Sequence, residues 1–339
     1  MANVGDTLPH CTGTGTQENP YIYTTEEGFK EAIAVTESYI EAGESNLNFD
    51  ANNGVITQVT FRCKYIDGKG TTIRNLFTQN SGTNLIVFQS SSSGYAMEVD
   101  NMNFYNMCII TTSVWHYARF IYDVGSNYQG HTKFFKNCNF TGVYKGLSHA
   151  DNQALISCNI QNGGSYNSMA FKDCTFNFNF DTYSSVDYLY IFKSGSDSYP
   201  IEFSNCTFCF SGKTLSANNY PVHLFYKAVM DSCVVMNKNT NPLYIASGNR
   251  SVIQMTLLNS GNKYSTTYNY VKLYMNHGTY SESKFSVNNS HVLVNKTRLG
   301  VDTFEGGIQM QETDTTADDY IYDATKLANK GFMVGQVIE

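Results

Sequence analysis

Phe135-Lys136-Asn137-Cys138-Asn139-Phe140 is the clearest statement of a six-residue phrase that recurs along the middle of this chain. It returns as Leu155-Ile156-Ser157-Cys158-Asn159-Ile160 and as Phe171-Lys172-Asp173-Cys174-Thr175-Phe176. Two later forms are Phe203-Ser204-Asn205-Cys206-Thr207-Phe208 and Met230-Asp231-Ser232-Cys233-Val234-Val235. The shared pattern is apolar, any, Asn/Asp/Ser, Cys, polar, apolar. The cysteines lie 20, 16, 32 and 27 residues apart. That spacing is too irregular for a helical repeat, but it suits a coil whose turns swell without losing register.

The reading that follows is an all-β chain: a single-stranded, right-handed parallel β-helix. Each phrase is one short strand of one coil. Alternate residues point inward and stack on their equivalents at the strand spacing of roughly 4.8 Å. Phe135, Leu155, Phe171 and Phe203 are expected in one interior column. Cys138, Cys158, Cys174, Cys206 and Cys233 are expected in another, unbridged, because a small soft side chain suits a crowded interior. The Asn or Asp beside each Cys is expected to cap a bend or bond to its equivalent one coil away. A β-sandwich is the alternative, but it does not call for one phrase five times.

At 339 residues the chain exceeds a usual single-core domain. A solenoid escapes that limit by growing along one axis. With 25 Tyr, 22 Phe, 26 Gly, 5 Pro and only 15% charged residues, the composition favours strands and turns. The net charge of -7 and the lack of any dense Lys/Arg run argue against nucleic-acid binding. No apolar run reaches membrane-spanning length, so no membrane span is expected. The N-terminus lacks the basic and apolar regions of a signal peptide. Nine cysteines, an odd number, then fit free thiols in a protein made in a reducing cytoplasm. Cys206 and Cys209 are three apart and face opposite ways on a strand, so no metal site is expected.

Three segments are expected: residues 1–44 as a lead and capping helix, 45–302 as the β-helix, and 303–339 as a docking or oligomerisation tail. Amphipathic spacing predicts the helix from Thr25 to about Glu41, with Phe29, Ala32, Ile33, Thr36 and Ile40 on one face. Thr24 and Glu27 have capping-box spacing. The helix would cover the open end of the first coil. Leu85–Phe88 and Met97–Phe104 read as strands, with Met102 in the Cys column. The stretch from Asp181 to Tyr190 is either a full coil or a projecting loop. Strands are expected at Val252–Leu258, Tyr270–Met275 and Phe285–Val294. In the tail, Phe332, Met333, Val334, Val337 and Ile338 are too apolar to lie free and too few to form a core, which marks them as assembly residues.

Two stretches carry a resemblance. Gly13-Thr14-Gly15-Thr16, followed by Asn19-Pro20-Tyr21-Ile22 and a Glu-rich helix, resembles the opening of pectin-lyase-like right-handed β-helix proteins. Tyr65-Ile66-Asp67-Gly68-Lys69-Gly70-Thr71-Thr72-Ile73 is similar to the first-coil turn of that family. The resemblance spans roughly residues 12 to 295 and specifies fold rather than activity. A leaderless chain rich in Tyr, Asn and Ser is most similar, within that fold, to virion proteins of tailed bacteriophages. These are tailspikes, receptor-binding fibres and head-bound fibres. The resemblance implies a non-enzymatic structural protein of the virion, assembled in the bacterial host cytoplasm. Its implied partners are other virion proteins, two further copies in a homotrimer, and host surface polysaccharide.

The open alternative is a polysaccharide-degrading enzyme, a depolymerase acting as lyase or hydrolase. A hydrolase needs two carboxylates across a groove. A lyase needs a base, often with Ca²⁺ held by carboxylates. Asp123, Asp151, Asp173, Asp181, Asp187 and Asp231 are the candidates. Asp173 and Asp231 sit in the repeated phrase, so a structural role is favoured for both. His149-Ala150-Asp151-Asn152-Gln153 echoes pectin methylesterases, but the acid-bearing segments which that family needs downstream are missing. No catalytic residue and no cofactor is therefore assigned. Trp115, Tyr117, Tyr183, Tyr188 and Tyr190 are the candidate glycan-stacking residues, with packing between coils as the competing role. Tyr122 is a further aromatic of the same kind.

Overall fold

A computed structural model describes residues 2–259, with breaks at 81, 90–94, 113–117, 125–131, 148–153, 159–167, 185–188, 195–200, 217–221, 227, 240–242 and 248–251; beyond these it describes 271–272 and 286–287. The assembly residues Phe332, Met333, Val334, Val337 and Ile338 lie outside the described residues.

The described chain is all-β, with one 16-stranded and one 8-stranded sheet. Every pairing is parallel except that of Cys11–Thr12 with Tyr21–Tyr23. Parallel partners lie 19 to 36 residues apart in sequence, from 19 for Tyr21 and Ile40 to 36 for Asn103 and Asn139. Strands of the two sheets alternate along the chain: Ile86–Phe88 is in the smaller, Met97–Thr111 in the larger, Ile121–Asp123 in the smaller again. The larger sheet begins inside the first 44 residues, where Tyr21–Tyr23 pairs with Tyr39–Ala42.

Alternation explains which side chains go in. Two inward columns run through the larger sheet. One is Tyr21, Ile40, Ile66, Val99, Phe135, Phe171 and Phe203. The other is Phe49, Ile73, Phe104, Phe140, Phe176 and Phe208. The smaller sheet supplies Ile86, Ile121, Ile156, Phe192 and Phe225. Rings stack down each column: Phe140 on Phe176 at 5.0 Å, Phe176 on Phe208 at 4.9 Å. Offset stacking of this kind adds about 0.5–1.5 kcal/mol per pair beyond simple burial. Where Gly142 leaves a gap in the next column, the Phe120 ring fills it and stacks on Phe178 at 5.0 Å.

The larger sheet bends where the backbone turns left-handed. Asn101, Asn137, Asp173 and Asn205 have φ of 55°, 52°, 54° and 52°. Asn and Asp tolerate this conformation best among non-glycine residues. Each is the residue just before Met102, Cys138, Cys174 or Cys206, so the polar position of the phrase is its corner. The Gly68-Lys69-Gly70 turn does the same for an earlier strand, with Lys69 at 45° and Gly70 at 86°. A Cβ at Gly68 would come within 2.8 Å of the Asn101 carbonyl oxygen.

Three expectations need correction. The phrase at Leu155–Ile160 is not a member of the column: Ala154–Cys158 lies in the smaller sheet, paired with Ile121–Asp123. Leu155 is therefore not stacked with Phe135 and Phe171, and Cys158 is not in the line of the other four thiols. All nine cysteines are free, as expected. Of the two readings for Asp181 to Tyr190, the described residues on either side of 185–188 favour the coil. Thr175–Ser184 continues the larger sheet, and Leu189–Lys193 enters the smaller one. The helix is shorter than its amphipathic pattern, spanning Glu26–Ile33, and its cap is Thr25, whose Oγ1 accepts from the Gly28 N–H at 3.1 Å. Ser38 Oγ donates to the Val35 carbonyl at 2.9 Å, and Glu37 turns left-handed. Tyr39 and Ile40 then form a strand, because the Tyr21–Ile40–Ile66 column needs Ile40 there.

Phe29 and Ile33 are buried, and Phe29 packs on Tyr23 at 5.3 Å and Phe49 at 6.0 Å. Phe29→Ala is expected to cost about 3–5 kcal/mol. Guanidinium unfolding measures it, and a loss under about 1 kcal/mol would detach the helix from the core. Of the late strands, Val252–Asn259, Val271–Lys272 and Ser286–Val287 are described.

Candidate functional site

A hydrolytic site needs two carboxylates facing each other across a groove, so the partners of the acidic side chains show what they can do. Asp67 accepts from Asn101 at 2.9 Å, Asp100 from Asn137 at 2.9 Å, and Asp173 from Asn205 at 2.6 Å. Each acid thus fixes the left-handed corner one strand away. Asp50 accepts from Asn75 at 2.8 Å and pairs with Arg74 at 3.2 Å. Its carboxyl is held below the usual range, first by the Asn75 hydrogen bond and then by the Asn52 N–H. Asn75 in turn accepts from Asn106, whose N–H donates to Thr141. Glu37 pairs with Lys64, Glu41 with Lys69 and Glu31 with His10. These acids are spent on ladders and corners rather than facing one another across a groove.

Asp123 is the exception, because it continues the inward Phe61–Phe88 column. Lys133, inward on the facing strand, is also fully buried, and Cys158 follows Asp123 in register. The Lys133 ammonium donates to the Tyr95 carbonyl at 2.9 Å. Burial lowers the Lys133 pKa, and the Asp123 charge opposes that. Burial pushes the Cys158 thiol well up, helped by Asp123. Such a cluster holds a charge inside the core, where a polysaccharide has no access. Among the remaining acid candidates, Asp181 is exposed. Asp231 is in register with Ser204. Asp151 and Asp187 lie outside the described residues.

The aromatic candidates fare unevenly. Trp115, Tyr117 and Tyr188 lie outside the described residues. Tyr183 is in register with Leu147 and Leu215. Tyr190 is buried at 8% exposure, with the Lys193 ammonium 4.6 Å from its ring centre. That leaves it little face to offer a sugar. Tyr122 is half-buried beneath the Arg119 guanidinium at 4.4 Å.

Two aromatics that the sequence reading passed over stand out instead. Tyr105 is 58% exposed and Phe77 49% exposed. Both flank the Asn75–Asn106 corner: the Asn75 N–H donates to the Tyr105 carbonyl, and Phe77 sits two residues past Asn75. Parity carried the signal. Leu76 and Phe104 are fully buried, so their strand neighbours Phe77 and Tyr105 must face out. Rings beside a row of amide side chains form a surface that a sugar can stack on and bond to.

Among the described residues no group of three or more His, Cys, Asp or Glu is arranged to chelate a metal. No helix there is long and apolar enough to cross a membrane. The class these features define is an all-β protein of two parallel sheets with a laddered polar exterior. No family model matches the chain, no curated protein is similar to it, and no solved structure matches it.

Buried acids of the side-chain kind make the fold sensitive to base. Cys63 is pushed from 9.0 to about 12 by burial, and Tyr95 from 10.0 to about 12, also by burial first. Both hold their protons more tightly folded than unfolded. Their contribution is intact below about pH 9 and is lost as the pH rises toward about 12. Lys133, lowered, works the opposite way but is a single group. Circular dichroism is expected to show cooperative loss of strand signal in that window. An unchanged spectrum through pH 12 would contradict it.

Proposed function

We propose that the chain is a parallel β-helix serving as a non-enzymatic structural component of a bacteriophage virion, a fibre, spike or capsid-bound head fibre, whose exterior adheres to glycan. The alternation of strands between two parallel sheets, with partners 19 to 36 residues apart, supports the coil reading. The observation that carries the functional reading is the use of Asp67, Asp100 and Asp173 as ladder acceptors for Asn101, Asn137 and Asn205. A catalytic carboxylate must face substrate and hold a tuned pKa; these face the next corner. Homotrimerisation through the tail and association with other virion proteins belong to the same reading.

The test incubates the protein with a panel of labelled bacterial surface polysaccharides. Retention with unchanged chain length is expected. Shortened chains, or new reducing or unsaturated ends, would replace this reading with the depolymerase. Tyr105→Ala and Phe77→Ala are each expected to weaken retention by about 1 kcal/mol, roughly fivefold. Exposed as they are, they should shift stability by no more than about 0.5 kcal/mol.

A further inference from the structure

A sulfur-bearing residue recurs at one register position six times along the larger sheet, on the strands at Met102, Cys233 and Met255 and at the corners between strands at Cys138, Cys174 and Cys206. Asn103, Asn139, Thr175 and Thr207 are in-register partners. The residues just before them, Met102, Cys138, Cys174 and Cys206, therefore stand in line. Thr207 pairs with Val234, which places Cys233 next, and Cys233 is itself the register partner of Met255. Met102 and the four cysteines are all 1% exposed or less. The line is a continuous buried run of thiols with a methionine position at each end.

The thiols share one orientation. Cys138 Sγ donates to the Lys136 carbonyl at 3.2 Å and the Val99 carbonyl at 3.5 Å. Cys174 does the same with Lys172 at 3.2 Å and Phe135 at 3.6 Å. Cys206 repeats it with Ser204 and Phe171, both at 3.4 Å. Cys174 also neighbours the thiols of Cys138 and Cys206, and Cys206 those of Cys174 and Cys233. Burial, first, drives the Cys174 thiol far up. Buried there, the Cys174 thiol keeps its proton until a cation displaces it.

We propose that this column binds soft monovalent d¹⁰ metal ions of the Cu(I) class, each held two-coordinate between the sulfurs of adjacent cysteines. Thiolate and thioether ligands select such ions. A metal–thiolate bond is about 2.3 Å, so a linear S–metal–S unit spans about 4.6 Å. Neighbouring strands are about 4.8 Å apart. The unit fits between rungs without moving the backbone. Harder ions need larger ligand sets, which the described residues do not arrange. Each ion displaces one proton: M⁺ + RSH + R′SH gives RS–M–S(H)R′ + H⁺. The product is neutral, as a dry interior demands, and no electron is transferred. An inner cysteine borders two gaps, so its loss removes two ions. This inference rests on strand register and is independent of the virion role.

Silver(I), redox-inert and of the same class, is the probe. Full-length protein is equilibrated with silver nitrate in chloride-free buffer and weighed by native mass spectrometry, with circular dichroism confirming the fold. Each ion is expected to add one silver and remove one proton. Cys174→Ala is expected to carry two fewer ions than the wild type, and Cys206→Ala likewise. Cys63→Ala, which removes a buried thiol outside the line, should carry at most one fewer. X-ray absorption on the wild type, which needs no variant to fold, is expected to give two sulfur neighbours per silver. Loss of a single ion at Cys174, uptake only after unfolding, or three or more ligands per silver would each overturn the proposal.

Discussion

Phe171→Ala is expected to destabilise the fold by about 4–5 kcal/mol, the upper part of the range for truncating a buried Phe. Phe171 is 1% exposed and stacks on Phe135 at 5.1 Å and on Phe203 at 5.3 Å. It also meets Phe176 edge-on at 5.1 Å and reaches Phe140 and Phe192. Truncation removes burial and stacking together and leaves a cavity. The strands on either side are tied to their own neighbours, so the hole cannot collapse. Guanidinium titration reads the effect as a lowered midpoint. A loss below about 1 kcal/mol would mean that the ring column is not packed as described.

Gly146→Ala is expected to be nearly as damaging, for a backbone reason. Gly146 has φ of 114°, which L side chains rarely adopt, and its strand pairs with Met97–Thr111 at Thr111. A Cβ there would lie 1.7 Å from the Thr111 carbonyl oxygen. The partner is backbone and cannot swing aside, so the strands must part locally. Strain of this kind costs about 1–3 kcal/mol, and the broken ladder bonds add to it. About 3 kcal/mol or more is expected in total. Hydrogen exchange should show faster amide exchange along Asn139–Leu147. Wild-type stability and exchange in the variant would contradict the close approach.

Much of this fold was legible because the phrase encodes both an inward pattern and a corner. Phe135, Cys138 and Phe140 all proved inward, and Met102 took the sulfur position on its strand. The misplacement of Leu155 and Cys158 has a physical cause. Any strand buried in a narrow interior shows the same apolar alternation, whichever sheet it joins. The discriminating residue was the one before the cysteine. Asn137, Asp173 and Asn205 turn left-handed there, whereas Ser157 sits inside the straight strand Ala154–Cys158. The helix was overextended because Thr36 and Ile40 keep helical spacing while their β-branching favours a strand. That contest was decided by the sheet, which a local pattern does not contain.

The exterior was harder to read. Aromatics are so common here that abundance hides the exposed ones, and only strand parity isolates Phe77 and Tyr105. Lys133 was missed for the reverse reason. A lysine reads as surface, yet it shares parity with Phe135 and is fully buried. The acid candidates were partly legible, since Asp173, inside the phrase, proved to be a corner residue. Asp123 showed no sequence sign of facing inward beside a lysine.

Successive strands stacked at a constant rise are the foundation of the whole account. Thr72, Asn103, Asn139, Thr175 and Thr207 are register partners in turn along the larger sheet. Pulsed electron spin resonance between labels at Thr72 and each later member tests this directly. The labels must be attached without thiol chemistry, since the chain has 9 cysteines. The separation is expected to grow linearly by about 4.8 Å per step, reaching about 19 Å between Thr72 and Thr207. A separation that fails to grow by that constant increment would contradict the parallel stacking of these strands.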